Sequence, residues 1–284
     1  MKYEPRVGVE RRPRSYIVLD VESAVIDESG HRRYQATERY SPGNDNNQPA
    51  RRGYTRSEDP LTCPRWVFQT IVTASVMVLT EHADGNLDIA QFVTLSQPDH
   101  DERAIVSGLF QLLQTWPDAE LVTWAGMVHD IPLIMMAAYK HGLTLPRGWR
   151  WLSFGGNDPA RHLDFARIVT GGFKMKPIHL AEVLAALDIP AKMTAPAFAV
   201  TGLIYAGEWD AVQEACESDT IGVAWLLARW RRCHDGRADI DIATDRLLRR
   251  IVELREGRGY VAELQARRQR FLVEAGRRAI AAAA

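Results

Sequence analysis

Two acidic residues follow a short apolar run near the start of the chain. Residues 15–20 read Ser-Tyr-Ile-Val-Leu-Asp, and Glu22 follows after one spacer. Because residues two apart share one face of a β-strand, we expect Asp20 and Glu22 to point the same way. Two neighbouring carboxylates repel each other unless a cation lies between them, and oxygen ligands suit Mg²⁺ or Mn²⁺. The alternative is an edge strand that carries two solvated acids.

Two further acids could either bind a metal or have an ordinary structural role. Asp130 follows a short predicted strand and opens a predicted helix, where a carboxylate also serves as a cap. Asp219 lies inside a long predicted helix and precedes a largely apolar stretch, residues 221–228. Burying an unpaired carboxylate is costly, and a bound metal would remove that cost. The alternative is that Asp219 faces solvent.

The elements that must position these acids follow from periodicity. Apolar and β-branched runs predict strands at residues 15–20, 66–79, 87–95, 120–125 and 161–165. Apolar residues at helical spacing predict helices at residues 101–116, 130–141, 177–187, 208–232 and from 238 onward, with a break at 257–259. Three strands that include a hairpin, followed by alternating helices and strands, indicate a mixed α/β sheet with helices on both faces.

The chain divides into three parts by composition. Residues 1–14 form a charged tail, residues 15–235 a single domain, and residues 236–284 a C-terminal helical extension. Within the domain, residues 27–64 are rich in Arg, Gly, Pro, Asn and Ser, which predicts a long inserted loop. Loops of this length in compact domains are usually functional or disordered.

Bulk properties exclude several classes of protein. The net charge of −1 does not by itself indicate a nucleic-acid-binding protein, so local patches must carry that argument. The three cysteines form no Cys-x-x-Cys pair, which argues against a zinc site or a disulfide framework. We see no apolar signal segment and no run long enough to span a membrane. A cytoplasmic protein with no membrane partner is the resulting expectation.

Taken together, the acidic segments resemble the DEDD 3′–5′ exonucleases of the ribonuclease H-like superfamily. The closest group is the predicted exonucleases related to the proofreading domain of family B DNA polymerases. The resemblance rests on Asp20-Val21-Glu22 in the first strand, residues 126–132 before and within a middle helix, and Cys216-Glu217-Ser218-Asp219 in a late helix. Residues 161–164 and 180–192 are also similar to that group, so the resemblance spans about residues 15–232.

The resemblance implies both a fold and an activity. The fold would be a ribonuclease H-like mixed five-stranded sheet with helices on both faces. Asp20, Glu22, Asp130 and Asp219 would be catalytic and would bind two divalent ions, Mg²⁺ or Mn²⁺. The reaction would be hydrolysis of phosphodiester bonds at the 3′ ends of single-stranded DNA or RNA by a two-metal mechanism.

The chain departs from this family at several positions. Ala215 stands where the family usually has Tyr, four residues before the last Asp, so no hydroxyl orients the attacking water. We therefore expect a slow enzyme, with Glu214 as a candidate substitute base. Ala125 replaces the usual Asn. His129 replaces an aromatic residue, and we expect it to take over the packing role of that residue, a phosphate or base contact being the alternative. A catalytically weak or inactive relative that binds nucleic acid or protein is the alternative function.

Basic residues supply candidate contacts to nucleic acid. Arginines of the 27–64 segment and two lysines after Gly171-Gly172 are predicted to bind phosphates: Arg32, Arg33, Arg51, Arg52, Lys174 and Lys176. Lys192 is a further candidate, and a solvated insertion is the alternative for residues 27–64. In the C-terminal helical extension, the apolar stripe Leu247, Leu248, Ile251 and Leu254 predicts packing on the core, on a protein partner or on a second copy of the chain.

Overall fold

The structure, a computed structural model, describes residues 14–39, 59–235 and 240–283. Five strands in the described residues form one sheet in the order β3-β2-β1-β4-β5. They are β1 (Ser15–Ala24), β2 (Thr70–Glu81), β3 (Leu87–Ser96), β4 (Glu120–Thr123) and β5 (His162–Asp164). The first strand pairs antiparallel with β2 and parallel with β4, so the sheet is mixed, as predicted.

Helices surround this sheet. The described residues form α1 (Ser29–Arg39), α2 (Glu102–Thr115), α3 (Asp130–His141), α4 (Phe165–Val169), α5 (Leu180–Ala186), α6 (Ala197–Ala206), α7 (Trp209–Asp235), α8 (Ile240–Leu254) and α9 (Val261–Ala283). Short 3₁₀ segments occur at Trp66–Phe68 and Arg147–Phe154. None of the helices in these described ranges combines the length and apolar character that a membrane crossing requires.

Alternation along β1 explains why helices cover both faces. Tyr16 and Val18 face a cluster built with α7, α8 and α9. Ile17, Leu19 and Val21 face the opposite cluster, which α2 and α3 complete. A central strand that is apolar on both faces must be covered on both sides, which is the layered arrangement predicted from the sequence.

The predicted loop at residues 27–64 is wrong over residues 29–39, which form α1. This helix has little apolar character, and tertiary contacts hold it in place: Gln35 Nε2 donates to the Leu61 carbonyl at 2.6 Å. The His31 ring lies 5.3 Å from the Phe68 ring, centroid to centroid. Such contacts override weak local propensity. Arg51 and Arg52 lie outside the described residues, as do residues 40–58 as a whole.

The C-terminal helical extension contributes to the main core. Leu247, Leu248 and Ile251 are buried in the same cluster as Tyr16 and Trp225. The apolar stripe of α8 therefore packs on the chain's own sheet and on α7, the first of the alternatives that the sequence left open.

Candidate active site

The acidic residues converge where the parallel strands end. Val18 of β1 pairs with Val122, and β4 ends at Thr123, so the following residues of β1 extend beyond β4. Asp20 and Glu22 therefore line a crevice at the carboxyl end of β4. Crevices at the carboxyl ends of parallel strands are common sites for ligands in α/β sheets.

Three carboxylates meet in this crevice. One oxygen from each of Asp20, Glu22 and Asp219 lies within 4.8 Å of the others, close enough for a shared metal ion. Asp219 comes from α7, which crosses the sheet on the face to which Asp20 and Glu22 point. The contact is tight, because Cys216 Sγ lies 3.4 Å from the Asp20 carbonyl oxygen. Asp219 is not on a solvated face, since its side chain is only 13% exposed.

Asp130 stands beside this group as the first residue of α3. It is buried, and Oδ1 lies 3.1 Å from His129 Nδ1. No described backbone N–H donates to the Asp130 carboxylate, so it does not cap α3, and the capping alternative is wrong. The His129 side chain is 48% exposed and contacts Asp130, and its expected packing role stays a prediction.

Another carboxylate, outside the acidic group, orders the turn that precedes Asp130. Asp164, at the end of β5, accepts hydrogen bonds from the backbone N–H groups of Ala125 and Met127, each at 3.0 Å. Gly126 is required between them, because a Cβ there would lie 2.4 Å from Thr123 Oγ1. Ala125 has φ +57°, a left-handed conformation that Asn tolerates better than Ala. This conformation gives a backbone reason for the Asn that the resembling family commonly has here.

The electrostatics of the crevice favour a bound cation. Burial, followed by the charges of Asp219, Glu22 and Asp130, raises the pKa of Asp20 well above its usual value. Burial and Asp219 raise the pKa of Glu22 to about 7. Burial likewise raises the pKa of Asp130, although the hydrogen bond from His129 opposes the rise. Each shift means that burial, together with neighbouring carboxylates, disfavours the ionised form, a penalty that a bound cation would relieve.

One internal cation balances part of this charge. Lys192 Nζ forms a hydrogen-bonded ion pair with Asp219. Burial opposes the charged form of Lys192, but Asp219, Asp20 and Glu22 outweigh burial and raise its pKa. The segment that carries Lys192 is tied to α7 beside Asp219, since the Met193 N–H donates to Ser218 Oγ at 3.2 Å. The sequence marked Lys192 only as a basic residue and gave no signal of this pairing.

The residues fit a divalent metal centre. Asp20 Oδ2 and Asp130 Oδ2 are both buried, with no hydrogen-bond partner among the described residues. Buried carboxylate oxygens without a partner are costly unless a ligand supplies one. The donor set consists of carboxylate oxygens, which suits Mg²⁺ or Mn²⁺ better than the softer metals that prefer thiolate or imidazole.

Ala215 lies where the resembling family usually has the tyrosine hydroxyl, and Glu214 directly precedes it. Ala215 is 1% exposed and packs in a cluster with Val200 and Ile204 of α6. Glu214 accepts a hydrogen bond from the Gly259 N–H at 2.7 Å, so its carboxylate is engaged with the turn before α9. Glu214 is not among the three acids whose oxygens lie within 4.8 Å of one another, and its suggested role as a substitute base stays a prediction.

The other face of α7 is anchored by a buried network around Glu217, which is fully buried. Tyr260 donates to Glu217 Oε2 at 2.6 Å, and Thr94 donates to Oε1 at 2.5 Å. Arg258 Nε lies 3.2 Å from Oε2, and Arg255 Nε lies 3.5 Å from Oε1. This Glu217 network joins the turn between α8 and α9 to the helix that carries Asp219. Glu217 was visible in the sequence as the acid two residues before Asp219, but its partners were not.

Apart from Lys192, which pairs with Asp219, the predicted nucleic-acid contacts among the described residues lie outside the acidic group. Arg32 and Arg33 are exposed on α1, and Lys174 and Lys176 are exposed in the loop between α4 and α5. Because Arg51 and Arg52 fall outside the described residues, the structure says nothing of their position.

One protein-family profile matches most of this chain. The profile, described as predicted 3′–5′ exonuclease related to the exonuclease domain of PolB, matches residues 63–263, more than half of the chain. The chain belongs to this family. The exonuclease resemblance inferred from the motifs is thus confirmed. The extent inferred from them, residues 15–232, differs from the profile match, which omits Asp20 and Glu22 and continues through the turn between α8 and α9.

The chain is also similar to longer solved structures. The family B DNA polymerase of the archaeon Pyrobaculum calidifontis is 14% identical, with a TM-score of 0.47 over 86% of this chain and 29% of that chain. Product-bound exonuclease I is 9% identical, with a TM-score of 0.42 over 79% of this chain and 44% of that chain.

A third similar structure is Escherichia coli exonuclease I in complex with a dA16 oligonucleotide. It is 11% identical, with a TM-score of 0.38 over 92% of this chain and 45% of that chain. The chain therefore spans less than half the length of these solved chains. No curated protein sequence matches it.

Proposed function

We propose that this protein is a metal-dependent 3′–5′ exonuclease that hydrolyses phosphodiester bonds at the ends of single-stranded DNA or RNA. Two divalent ions, Mg²⁺ or Mn²⁺, would be held by Asp20, Glu22, Asp130 and Asp219. The observation that carries the proposal is the approach of Asp20, Glu22 and Asp219 to within 4.8 Å at the carboxyl end of the parallel strands. Membership of the exonuclease family supports the same chemistry.

Each residue of the crevice has a distinct task in this proposal. Asp20 and Asp130 offer the unpartnered Oδ2 atoms, while Glu22 and Asp219 complete the ligand set. When bound, divalent cations at such a site activate the attacking water and stabilise the departing oxygen. His129 holds the Asp130 carboxylate in place, and Lys192 offsets the charge of Asp219.

The test is digestion of a 5′-labelled oligonucleotide, as DNA and as RNA, with Mg²⁺ or Mn²⁺. Shortening from the 3′ end gives a ladder of labelled products, and a 3′-phosphorothioate end should suppress it. Asp20→Asn and Asp219→Asn should each slow the reaction by about 10²-fold or more, because a charged group that stabilises the transition state is lost. The matched control is Asp118→Asn, an exposed acid outside the crevice. An Asp20→Asn variant as fast as the parent would rule out the site.

One observation favours the alternative, a weak or inactive relative that binds nucleic acid or protein. Ala215 brings no hydroxyl, and loss of a general acid–base group typically costs about 10²- to 10⁴-fold. The alternative is supported if the parent binds the labelled strand yet yields no shorter product with Mn²⁺ at a molar excess of protein. Stepwise shortening that depends on Asp20 excludes it.

A further inference from the structure

The loop between α4 and α5 combines exposed apolar and basic side chains. All residues from 171 to 179 are exposed. Among them Phe173 is 40% exposed and Met175 is 65% exposed, and they alternate with Lys174 and Lys176. No acid occurs between residues 170 and 179. We call residues 170–176 the Phe173 loop.

The Phe173 loop is ordered by its own hydrogen bonds. The Phe173 N–H donates to Thr170 Oγ1 at 3.1 Å, and the Lys174 and Met175 N–H groups both donate to the Thr170 carbonyl at 3.1 Å. The backbone places Phe173 at φ +63°. A bulky residue is strained in this left-handed region, where glycine would be relaxed. Phe173 nevertheless leaves 40% of its surface exposed, so a bulky side chain in a strained backbone conformation faces solvent in part.

The charges of the Phe173 loop are uncompensated. Neither Lys174 nor Lys176 has an ion-pair partner in the described part of the chain. Free ammonium groups on both sides of an exposed side chain complement a phosphodiester backbone. Phe173, which directly precedes both lysines, offers an aromatic ring on which a base stacks, and cations beside such a ring are the combination used by proteins that bind single strands.

The Phe173 loop adjoins the acidic crevice through a short connection. The intervening helix α4 has five residues and is therefore about 7.5 Å long. Asp164, which caps α4, binds the backbone N–H groups of Ala125 and Met127 just before Asp130. Arg167 of α4 also contacts Met127, with Nη1 3.6 Å from Sδ. The segment that leads into the Phe173 loop thus contacts the turn that precedes Asp130.

We propose that Phe173 stacks on a base of the single-stranded substrate while Lys174 and Lys176 bind neighbouring phosphates. Digestion of the bound strand rests on the proposed exonuclease function, whereas binding of the strand does not. Because every base has a stacking face, the contact should tolerate any sequence but should require a base.

The first measurement is the affinity of the metal-free protein, in EDTA, for a fluorescent oligothymidylate. Phe173→Ala should weaken binding by about 5- to 150-fold, the range found for loss of one base–aromatic stack. The control is Tyr139→Ala, which removes an exposed ring at the far end of α3 from Asp130. A strand with abasic spacers should bind the parent and Phe173→Ala equally, since no base is present to stack.

The second measurement is the salt dependence of binding. The double variant Lys174→Ala/Lys176→Ala should lower the magnitude of the slope of log affinity against log salt by about 1.4, since each phosphate contact on a single strand contributes about 0.7. Arg277→Ala, at an exposed arginine of α9, should leave the slope unchanged. An unchanged slope in the double variant would overturn the phosphate contacts.

The third measurement separates binding from folding. Phe173→Gly removes the backbone strain together with the ring, so it should unfold at the parent temperature or above while it binds the strand as weakly as Phe173→Ala. A purely structural role for Phe173 predicts a lower unfolding temperature and unchanged affinity, which would overturn the proposal.

The two proposals can fail separately. If the parent digests the strand and Phe173→Ala binds and digests it equally well, the Phe173 loop is excluded and the exonuclease stands. If the parent binds the strand through Phe173 but never shortens it, the exonuclease fails and the Phe173 loop stands. Hydrolysis of the p-nitrophenyl ester of thymidine 5′-monophosphate without any binding of the strand would also exclude the loop.

Discussion

Glu22 links the protonation of the crevice to its stability. Its pKa is raised to about 7 from an ordinary 4.5, because it is buried beside Asp219. The folded chain therefore holds this proton more tightly than the unfolded chain does. The contribution of Glu22 to the free energy of unfolding is fully present below pH 4.5 and is lost as the pH rises to about 7. The upward shifts of Asp20 and Asp130 act in the same direction.

We expect the unfolding temperature of the metal-free protein to fall as the pH rises from 5 to 8. The loss from Glu22 alone is on the order of 3 kcal/mol. Mn²⁺ should raise the unfolding temperature more at pH 8 than at pH 5, because it binds the ionised carboxylates. Thermal unfolding with and without Mn²⁺ measures both effects, and Glu22→Gln should flatten the pH dependence. An equal rise with Mn²⁺ at both pH values would contradict the electrostatic account of the crevice.

Ala215 stands at the position where the family usually has a tyrosine hydroxyl. Its side chain is 1% exposed and lies against Val200 and Ile204, so α6 occupies the space that a larger residue would need. Ala215→Tyr should therefore destabilise the protein by about 1–3 kcal/mol through overpacking, without raising the rate of digestion. Urea unfolding and the digestion assay together measure this. A stable Ala215→Tyr variant with a higher rate would mean that a hydroxyl can still be accommodated in the crevice.

At the residue scale, the sequence predicted the acids better than their partners. Asp20 and Glu22 were expected to point the same way because strand periodicity is strict, and the structure brings Asp219 to them. The ion pair between Lys192 and Asp219 joins residues 27 positions apart through an irregular segment. No periodic pattern encodes such a contact, because the path of the segment depends on how α5 and α7 pack.

At the scale of elements, α7 is the helix on which the crevice depends. One part of it carries Asp219, and the Glu217 network ties it to β3 and to the turn between α8 and α9. Residues two apart on a helix lie on nearly opposite sides, so Glu217 faces away from the crevice when Asp219 faces into it. The network therefore acts on the position of α7 and not on the substrate.

Tyr260→Phe tests this network. It removes the hydroxyl that donates to Glu217 Oε2 and leaves the ring in place. We expect a loss of about 1.5–3 kcal/mol in the free energy of unfolding, typical of a hydrogen bond to a buried charge. Tyr139→Phe, at an exposed hydroxyl, should change stability by less than about 0.5 kcal/mol. Urea denaturation measures both variants, and a Tyr260→Phe variant as stable as the parent would mean that Thr94 and the arginines satisfy Glu217 without the hydroxyl.

The elements that the sequence missed are those with weak apolar periodicity. Helix α1 is rich in polar and basic residues and forms where His31 and Gln35 meet residues 59–68. Helix α6 lies between Pro196 and Gly207 and is apolar on most sides, so it lacks the alternation that marks a surface helix. The long helix α7 and the central strands were predicted because their apolar patterns match the burial of a central layer.

At the scale of the whole molecule, the C-terminal helical extension completes the core. Leu247, Leu248 and Ile251 of α8, together with Tyr260 and Leu264, are buried in the cluster that covers one face of the sheet. The family profile ends at residue 263, after the turn that carries Arg255, Arg258 and Tyr260. The matched region thus includes the Glu217 network but little of α9.

Truncation distinguishes a core element from an appendage. A chain that ends at Asp235 loses, among others, the five buried apolar side chains just named, each worth about 1.5–3 kcal/mol, or about 7–15 kcal/mol together. That loss is comparable with the entire stability of a typical domain, about 5–15 kcal/mol. We therefore expect this variant to aggregate or to unfold without a cooperative transition.

A chain that ends at Glu274 keeps Phe271, the last buried side chain described in α9, and should unfold near the parent temperature. Calorimetry of both variants measures the difference. If residues 1–235 unfold cooperatively near the parent temperature, the sheet is stable without α8 and α9, and their packing on it contributes little to stability.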